Sequence, residues 1–381
     1  MNSRIRVLHI NLSPLGIGRY GVLFALALAQ RDDVEVLSIF DKRLLENDLL
    51  RNLASGLKTQ IFSLDTRFDQ LAALPKLKKI IKEWHPDIVH NTDGSSHPYG
   101  ILASSLLARG KPWVINEHDP VPHSGMGKTS TSQLARFLIR HWGKQIFVHG
   151  PSQKKELIRL GVSPSKISVI YHGLLSPLVL HPNASLVKRE AFTVLFFGEL
   201  RPNKGVELLL PIADKVYKKL PYVRFLIAGS PTNDRSLNRL GWQSKLEKIL
   251  DEMRKRPYFE VHDRFIPDEE VATLFSRAAV TLLPYLDASQ SGVAMIAMPL
   301  NSVVIATNVG DISFVVHHEH TGFLTTPDID SIANTIIYAL SHSAQLEKIR
   351  KSAKEWAEQE CNWDDIARKV VNVYQKMIVE K

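Results

Sequence analysis

Two doubly wound, Rossmann-like α/β domains with parallel sheets, facing across a cleft, are predicted by three observations. Apolar strand-like segments and amphipathic helical segments alternate along the whole chain of 381 residues. Thirteen strand segments can be read, too many for a single parallel sheet covered on both faces. Near the middle, Leu174-Leu-Ser-Pro-Leu-Val-Leu-His-Pro-Asn-Ala184 carries two prolines and no period, as an interdomain linker does.

The predicted strands of the first half are 6–11, 34–40, 59–64, 88–91, 113–117, 145–149 and 167–171. Each is a short apolar run rich in Val, Ile, Leu and Phe, as strands buried on both faces are. Helical periods fall between most of them, for example at 21–30 and 152–160. The second half repeats the scheme with strands at 193–198, 224–228, 259–262, 280–284, 303–307 and 323–325. Strongly amphipathic helices at 206–219 and 244–255 separate them, and a last helix, 363–379, carries Ile366, Val370, Val373, Tyr374 and Ile378 on one side. The domain boundary is expected within 174–190, giving domains 1–178 and 188–363. Open parallel sheets bind ligands at the carboxyl ends of their strands, so the loops holding Gly16, His118, Arg201, Ser289 and Gly310 are the ones to examine.

Composition narrows the class. Apolar residues make up 44% and charged residues 23%, the balance of a soluble globular protein. The apolar stretch 22–29 is too short to span a membrane, and Asn11, Ser13 and Arg19 break any signal-peptide pattern. A single cysteine, Cys361, excludes an internal disulfide framework and fits a reducing, cytoplasmic setting. The net charge of +9 is uneven: residues 1–190 carry +10 and residues 191–381 carry −1. The first half therefore predicts either a merely basic solvated surface or an anionic partner. Helix 71–84 carries Lys76, Lys78, Lys79 and Lys82 beside Leu77, Ile80, Ile81 and Trp84, and helix 131–142 carries Arg136, Arg140 and Trp142. Basic amphipathic helices with tryptophan suit an anionic membrane surface, which points to a peripheral position at its inner face. Nucleic acid is not expected, because no aromatic-basic interleaving continues along one face.

Two segments about ninety residues apart carry the chemistry. In Phe196-Phe-Gly-Glu-Leu-Arg-Pro-Asn-Lys-Gly-Val206 a strand ends in a loop bearing Arg201 and Lys204. As surface charges these two would oppose the dipole of the helix that follows, so an anion held between them is the better explanation. In Pro284-Tyr-Leu-Asp-Ala-Ser-Gln-Ser-Gly-Val293 a strand breaks into small residues expected to open a helix. One such residue suffices for an N-cap, whereas Ser289, Gln290, Ser291 and Gly292 together suit close approach by a phosphate. Two cations from one loop and free N–H groups from the other fit a diphosphate.

Other motifs carry less. Gly16-Ile-Gly-Arg-Tyr-Gly21 is a literal G-x-G-x-x-G with Asp41 twenty residues on. Residues 12–15 intervene between strand and glycines, so a loop touching another phosphate or a sugar is preferred over a dinucleotide site, and a structural turn stays open. His118, between Glu117 and Asp119 at a strand end, reads as functional; metal binding by His118 with His123, or by His317-His-Glu-His320, is the weaker reading. Asp328-Ile-Asp330 precedes a helix at 331–340 and reads as a cap. No nucleophile-elbow sequence accompanies the serines, and Cys361 is a poor nucleophile candidate.

These residues resemble the family 4 (group 1) glycosyltransferases, retaining enzymes of the GT-B fold, over nearly the whole chain. Gly198-Glu-Leu-Arg-Pro-Asn-Lys-Gly205 resembles the family's diphosphate-gripping loop, and 284–310 its donor region, ending in Val304-Ile-Ala-Thr-Asn-Val-Gly310. Thr321-Gly-Phe-Leu-Thr-Thr-Pro327, Asp87-Ile-Val-His90, His118-Asp119 and Ser165-Lys-Ile-Ser-Val-Ile-Tyr-His-Gly173 match further landmarks. The last helix, about 364–381, resembles the one that crosses back to the first domain. Two departures stand out. Ala288 and Ile296 occupy the places of two usual glutamates, and Glu199 follows the first loop glycine, where an arginine is frequent.

The resemblance implies an acceptor-side first domain and a nucleotide-sugar-binding second one. It implies transfer of a sugar from a UDP- or GDP-linked donor to a hydroxyl on a glycan or lipid-linked acceptor, with retention, without metal or other cofactor, in polysaccharide or glycolipid assembly. His118, Arg201 and Lys204 are the expected catalytic residues. Gly16, Gly18, Asp287, Ser289, Gln290, Ser291 and Gly292 are expected at the donor, with Phe265 and Ile266 near its base. The competing readings are a degenerate nucleotide-binding protein of this fold and an NAD(P)-dependent oxidoreductase.

Overall fold

The computed structural model describes residues 4–14, 16–108, 110–122, 130–180, 187–232 and 234–379. They form two compact units. Among the described residues, the first takes in those up to Val121, 130–173 and those from Cys361 on; the second is Leu174–Glu360 with Pro122. The division falls earlier than the expected 178 because Leu175 N–H donates to Met295 O (3.3 Å), which ties the stretch after Gly173 to the second unit.

The first unit holds β1 (Ile5–Asn11), β2 (Val34–Asp41), β3 (Lys58–Phe62), β4 (Ile88–Asn91), β5 (Trp113–Asn116), β6 (Gln145–Val148) and β7 (Ile167–Val169), in the order β3-β2-β1-β4-β5-β6-β7. All pairings are parallel. The central strands β4, β5 and β6 are buried at every residue, whereas the edge strand β3 exposes most of its residues. Alternation along β1 sends Leu8 and Ile10 to one core and Val7 to the other. Helices Arg67–Trp84, Pro98–Leu107 and Ser130–Trp142 cover the first face with Leu77, Ile101, Leu138 and Ile139. Gly16–Ala29 and the last helix, Trp363–Val379, cover the second with Phe24, Ile366, Val370 and Tyr374. Burying Ile366 and Val370 fully stabilises this docking by about 1.5–3 kcal/mol each.

The helix Arg67–Trp84 corrects part of the membrane reading. Leu77 is buried and Ile80, Ile81 and Trp84 pack on the core, with Arg6 stacked 4.9 Å over the Trp84 ring. Its apolar side is thus spent inside, leaving lysines outside. A capping box between Thr66 and Asp69 starts this helix.

The second unit holds β8 (Glu190–Phe197), β9 (Arg224–Ala228), β10 (Phe259–His262), β11 (Ala278–Leu283), β12 (Val303–Thr307) and β13 (Gly322–Thr325), in the order β10-β9-β8-β11-β12-β13. Again all pairs are parallel. Connections leave β8 toward β9 on one side while β11 lies on the other, so the topological switch point falls between β8 and β11. In the first unit the same point falls between β1 and β4. Asp328 accepts from Ser331 N–H (2.8 Å) and caps the helix Ile329–Ser341, so this carboxylate of the D-x-D serves the backbone.

Candidate active site

In the second unit, the two loops singled out in the sequence meet at the switch point. Asn203 joins them: its carbonyl accepts from Leu286 N–H (2.9 Å) and Asp287 N–H (3.4 Å), and its side-chain amide donates to Asp287 O (3.1 Å). Gly205 closes the first loop at φ 71°, where a Cβ would stand 1.8 Å from Pro284 O, so no other residue fits without moving a backbone. A third loop joins on the other side. Gly310, at φ 54°, lies so close that a Cβ would stand 1.6 Å from Ala288 O, and Asp311 N–H donates to Ser289 O (3.2 Å).

Lys204 rests its ammonium 3.7 Å over the centre of the Tyr285 ring and makes no ion pair among the described residues. Tyr285 is fully buried, and its hydroxyl lies 3.2 Å from Ser291 Oγ, which in turn accepts weakly from Ala294 N–H (3.4 Å). A line of contacts thus runs from Lys204 through Tyr285 to Ser291. Arg201 pairs with Glu199 at 3.4 Å, so the residue in the family's frequent arginine place is the counter-ion of the arginine two positions on. Arg201 Nε and Gln290 Oε1 are buried without a hydrogen-bond partner among the described residues. Unsatisfied buried polar atoms on ligand-facing loops are what a polar ligand would complete.

One expectation is corrected. Ser289–Gly292 do not open a substantial helix: only Ala294–Ala297 is helical, a single turn. A macrodipole needs aligned peptides over several turns, so a phosphate here would rely on local N–H groups and cations. Gly292 approaches Leu175 (3.3 Å from a would-be Cβ). In the loop after β10, Ile266 is buried, whereas Phe265 is 66% exposed and Arg264 is engaged by Glu270 (2.6 and 3.1 Å).

In the first unit the switch-point loops are held by carboxyls that the sequence reading did not single out. Asp93 accepts from Leu12 N–H (2.9 Å), and Glu117 accepts from Ser95 Oγ (2.8 Å) and Asp119 N–H (3.1 Å). Burial pushes each carboxyl up to about 7. His118 is buried with Nε2 donating to Thr92 O (2.9 Å), which leaves Nδ1 as an unpartnered acceptor. Burial lowers its pKa, so the ring is neutral. Its ring neighbours are Tyr20 and His149, with ring centres 5.1 and 4.9 Å away; His123 lies outside the described residues. Gly18 is a packing residue, since a Cβ there would stand 2.1 Å from Ser13 O, while Gly16 is exposed and open. Asp41 is buried against Arg43 (2.8 Å), already engaged where a dinucleotide ribose would need it.

Two six- or seven-stranded Rossmann units with loops of this kind define a GT-B glycosyltransferase scaffold. Residues 15–174 match the family described as Glycosyltransferase Family 4, and residues 191–342 match Glycosyl transferases group 1. The chain belongs to this glycosyltransferase family. Among its relatives, the phosphatidylinositol N-acetylglucosaminyltransferase gpi3 subunit of Schizosaccharomyces pombe is 22% identical over 87% of this chain and 71% of its own. An uncharacterized glycosyltransferase of Methanocaldococcus jannaschii is 25% identical over 76% and 75%. Among solved structures, Anabaena HepE in complex with UDP and glucose superposes with a TM-score of 0.74 at 18% identity, covering 98% of this chain and all of that one. Sucrose-phosphate synthase from Thermosynechococcus elongatus gives 0.74 at 19% identity, covering 99% and 100%.

Proposed function

We propose that the chain transfers a sugar, with retention at the anomeric carbon, from a nucleoside diphosphate sugar to a hydroxyl of a glycan or lipid-linked acceptor. The observation that carries this is the meeting of Arg201, Lys204 and the Ser289–Gly292 loop at the second unit's switch point. Breaking the glycosidic bond leaves negative charge on the diphosphate. Two preorganised cations stabilise that charge without a metal, and the diphosphate itself takes the acceptor proton on the face it leaves. Lys204, held over an aromatic face without a carboxylate, transfers readily to a phosphate oxygen.

Asp287 and Gln290 are assigned to the sugar, Ser291 and Gly292 to the phosphates, and the exposed Phe265 with Ile266 to the base. In the first unit, neutral His118 is assigned a contact with the sugar. Gly16 alone of the two glycines keeps a ligand-facing role. The first donor to test is UDP-linked, because the HepE complexes contain UDP with glucose or UDP-glucose. The gpi3 relative is named for phosphatidylinositol, which supports a lipid-linked acceptor over a free sugar.

The test is donor turnover in the presence of a chelator, with the product's anomeric configuration read by NMR. Retention is expected, and Lys204→Ala should lower turnover at least tenfold, from a lost charge-assisted contact of about 1.5–3 kcal/mol. Nucleotide binding without hydrolysis or transfer would instead mark a degenerate member of the fold. Binding of NADH alone would return weight to an oxidoreductase.

A further inference from the structure

Glu117 is buried where the loops after β4 and β5 meet. Its Oε1 accepts from Ser95 Oγ (2.8 Å) and Asp119 N–H (3.1 Å), and its Oε2 accepts from Ser95 N–H (3.2 Å). Gly94 allows the approach: it sits at φ 49°, and a Cβ there would stand 2.6 Å from Asn116 O. Three donors converge on one carboxyl, an arrangement that suits its ionised form. The cation acting on it, Arg136, gives its Nε to Asp119 O (3.3 Å), and no cation pairs directly with Glu117 among the described residues. A buried charge without a direct counter-ion is costly, and apolar packing would join two loops at lower cost. What this carboxyl encloses is His118, which lies inside the turn that Glu117 and Asp119 close. The His118 ring donates to Thr92 O (2.9 Å), and its carbonyl accepts from Gln153 Nε2 (3.2 Å).

We propose that Glu117 is a positioning residue, whose carboxylate closes the turn around His118 and fixes that ring for its contact with the donor sugar. The sugar contact rests on the transferase reading above; the hold on the ring does not. When the carboxyl takes up a proton, one oxygen turns from acceptor to donor against the N–H and O–H groups around it, and the turn loosens. Burial raises this carboxyl to about 7. Arg136 and Ser95 favour its ionised form, and Asp119 on its own loop opposes it. Beside it β6 leads into His149, which burial keeps neutral, and the helix Pro98–Leu107 carries no charged residue. Turnover should therefore rise with pH through about 7, while the same group's contribution to stability falls.

The full chain with ¹⁵N-labelled histidine would be followed by NMR between about pH 6 and 8, beside kcat for UDP-glucose. The His118 ring is assigned through His118→Gln. The expected result is a transition in both the ring resonances and kcat with one midpoint near 7. Glu117→Gln keeps the size but turns an amide NH₂ toward donors; it should abolish both transitions and lower kcat about tenfold or more at the upper pH. Arg136→Gln leaves Glu117 in place and should move both midpoints upward. A wild-type transition in Glu117→Gln, or an unmoved midpoint in Arg136→Gln, would overturn the proposal. So would a Glu117→Gln variant with a lower Tm and unchanged His118 resonances, since the carboxyl would then be structural only. Absence of wild-type turnover would count against the transferase reading alone, because the ring resonances decide the positioning without it.

Discussion

Asn203 and Asp287 hold each other across 84 residues of sequence: the Asn203 carbonyl accepts from Asp287 N–H (3.4 Å) and its side-chain amide donates to Asp287 O (3.1 Å). This exchange fixes the loop bearing Arg201 and Lys204 against the loop bearing Ser289–Gly292. Asn203→Ala removes one of these bonds and leaves a carbonyl short of a partner, at about 0.5–1.5 kcal/mol. The expected outcome is a small fall in thermal stability with a larger fall in nucleoside diphosphate affinity. A normal affinity in the variant would show that the loops find their places without this contact.

Glu199 competes for Arg201. Its pair at 3.4 Å is partly exposed, worth about 0.2–1 kcal/mol. Glu199→Ala should therefore tighten UDP binding by up to about fivefold, read by titration calorimetry. Weaker binding would mean that Glu199 orients the arginine rather than neutralising it.

Gly205 and Gly310 are positions where any side chain meets backbone. Gly205→Ala and Gly310→Ala should each cost more than about 2 kcal/mol, because a positive φ and a collision with Pro284 O or Ala288 O add together. Gly56→Ala, whose nearest contact stands 4.0 Å away, is the control and should be nearly neutral in thermal denaturation.

Acid should destabilise the first unit. Burial holds His9, His90 and His172 at about 3 and His97 at about 4, and lowers His118 and His149 as well. The unfolded chain takes up these protons first, so stability is full above about 6.5 and is lost as pH falls below it. Asp93 and Glu117, raised to about 7, act oppositely: the folded state holds their protons more tightly, and stability is gained as pH falls from 7 toward 4. Six groups outweigh two, each contributing about 1.4 kcal/mol per pH unit at most. Tm should drop from pH 7 to pH 5, and His149→Phe should flatten that slope, since neither His149 nitrogen has a hydrogen-bond partner among the described residues. An unchanged slope would place the acid sensitivity elsewhere.

The strands were legible because parallel strands buried on both faces read as uninterrupted apolar runs, and β4, β9, β10 and β12 have the expected limits. The helix Ser343–Glu360 was not singled out; its buried Leu346, Ile349, Ala353 and Ala357 are thinly spaced among charges. Lys204 and Arg201 could be picked out because cations before a helix need a reason. The partners that place them could not: the ring of Tyr285 and the amide of Asn203 act across some eighty residues, and neither type signals such a role locally. The helix after Gly292 was overestimated because small residues permit an N-terminus without requiring one. Trp84 was misread for a related reason. Period alone does not tell a core-facing stripe from a lipid-facing one.

The most direct test of the donor site is a calorimetric titration with UDP, GDP, ADP and NADH in metal-free buffer, repeated on Arg201→Ala with Lys204→Ala. Saturable binding of one nucleoside diphosphate, abolished in the double variant, is the predicted result. Binding that survives loss of both cations would contradict the account, because the diphosphate would then be held somewhere other than the switch point between β8 and β11.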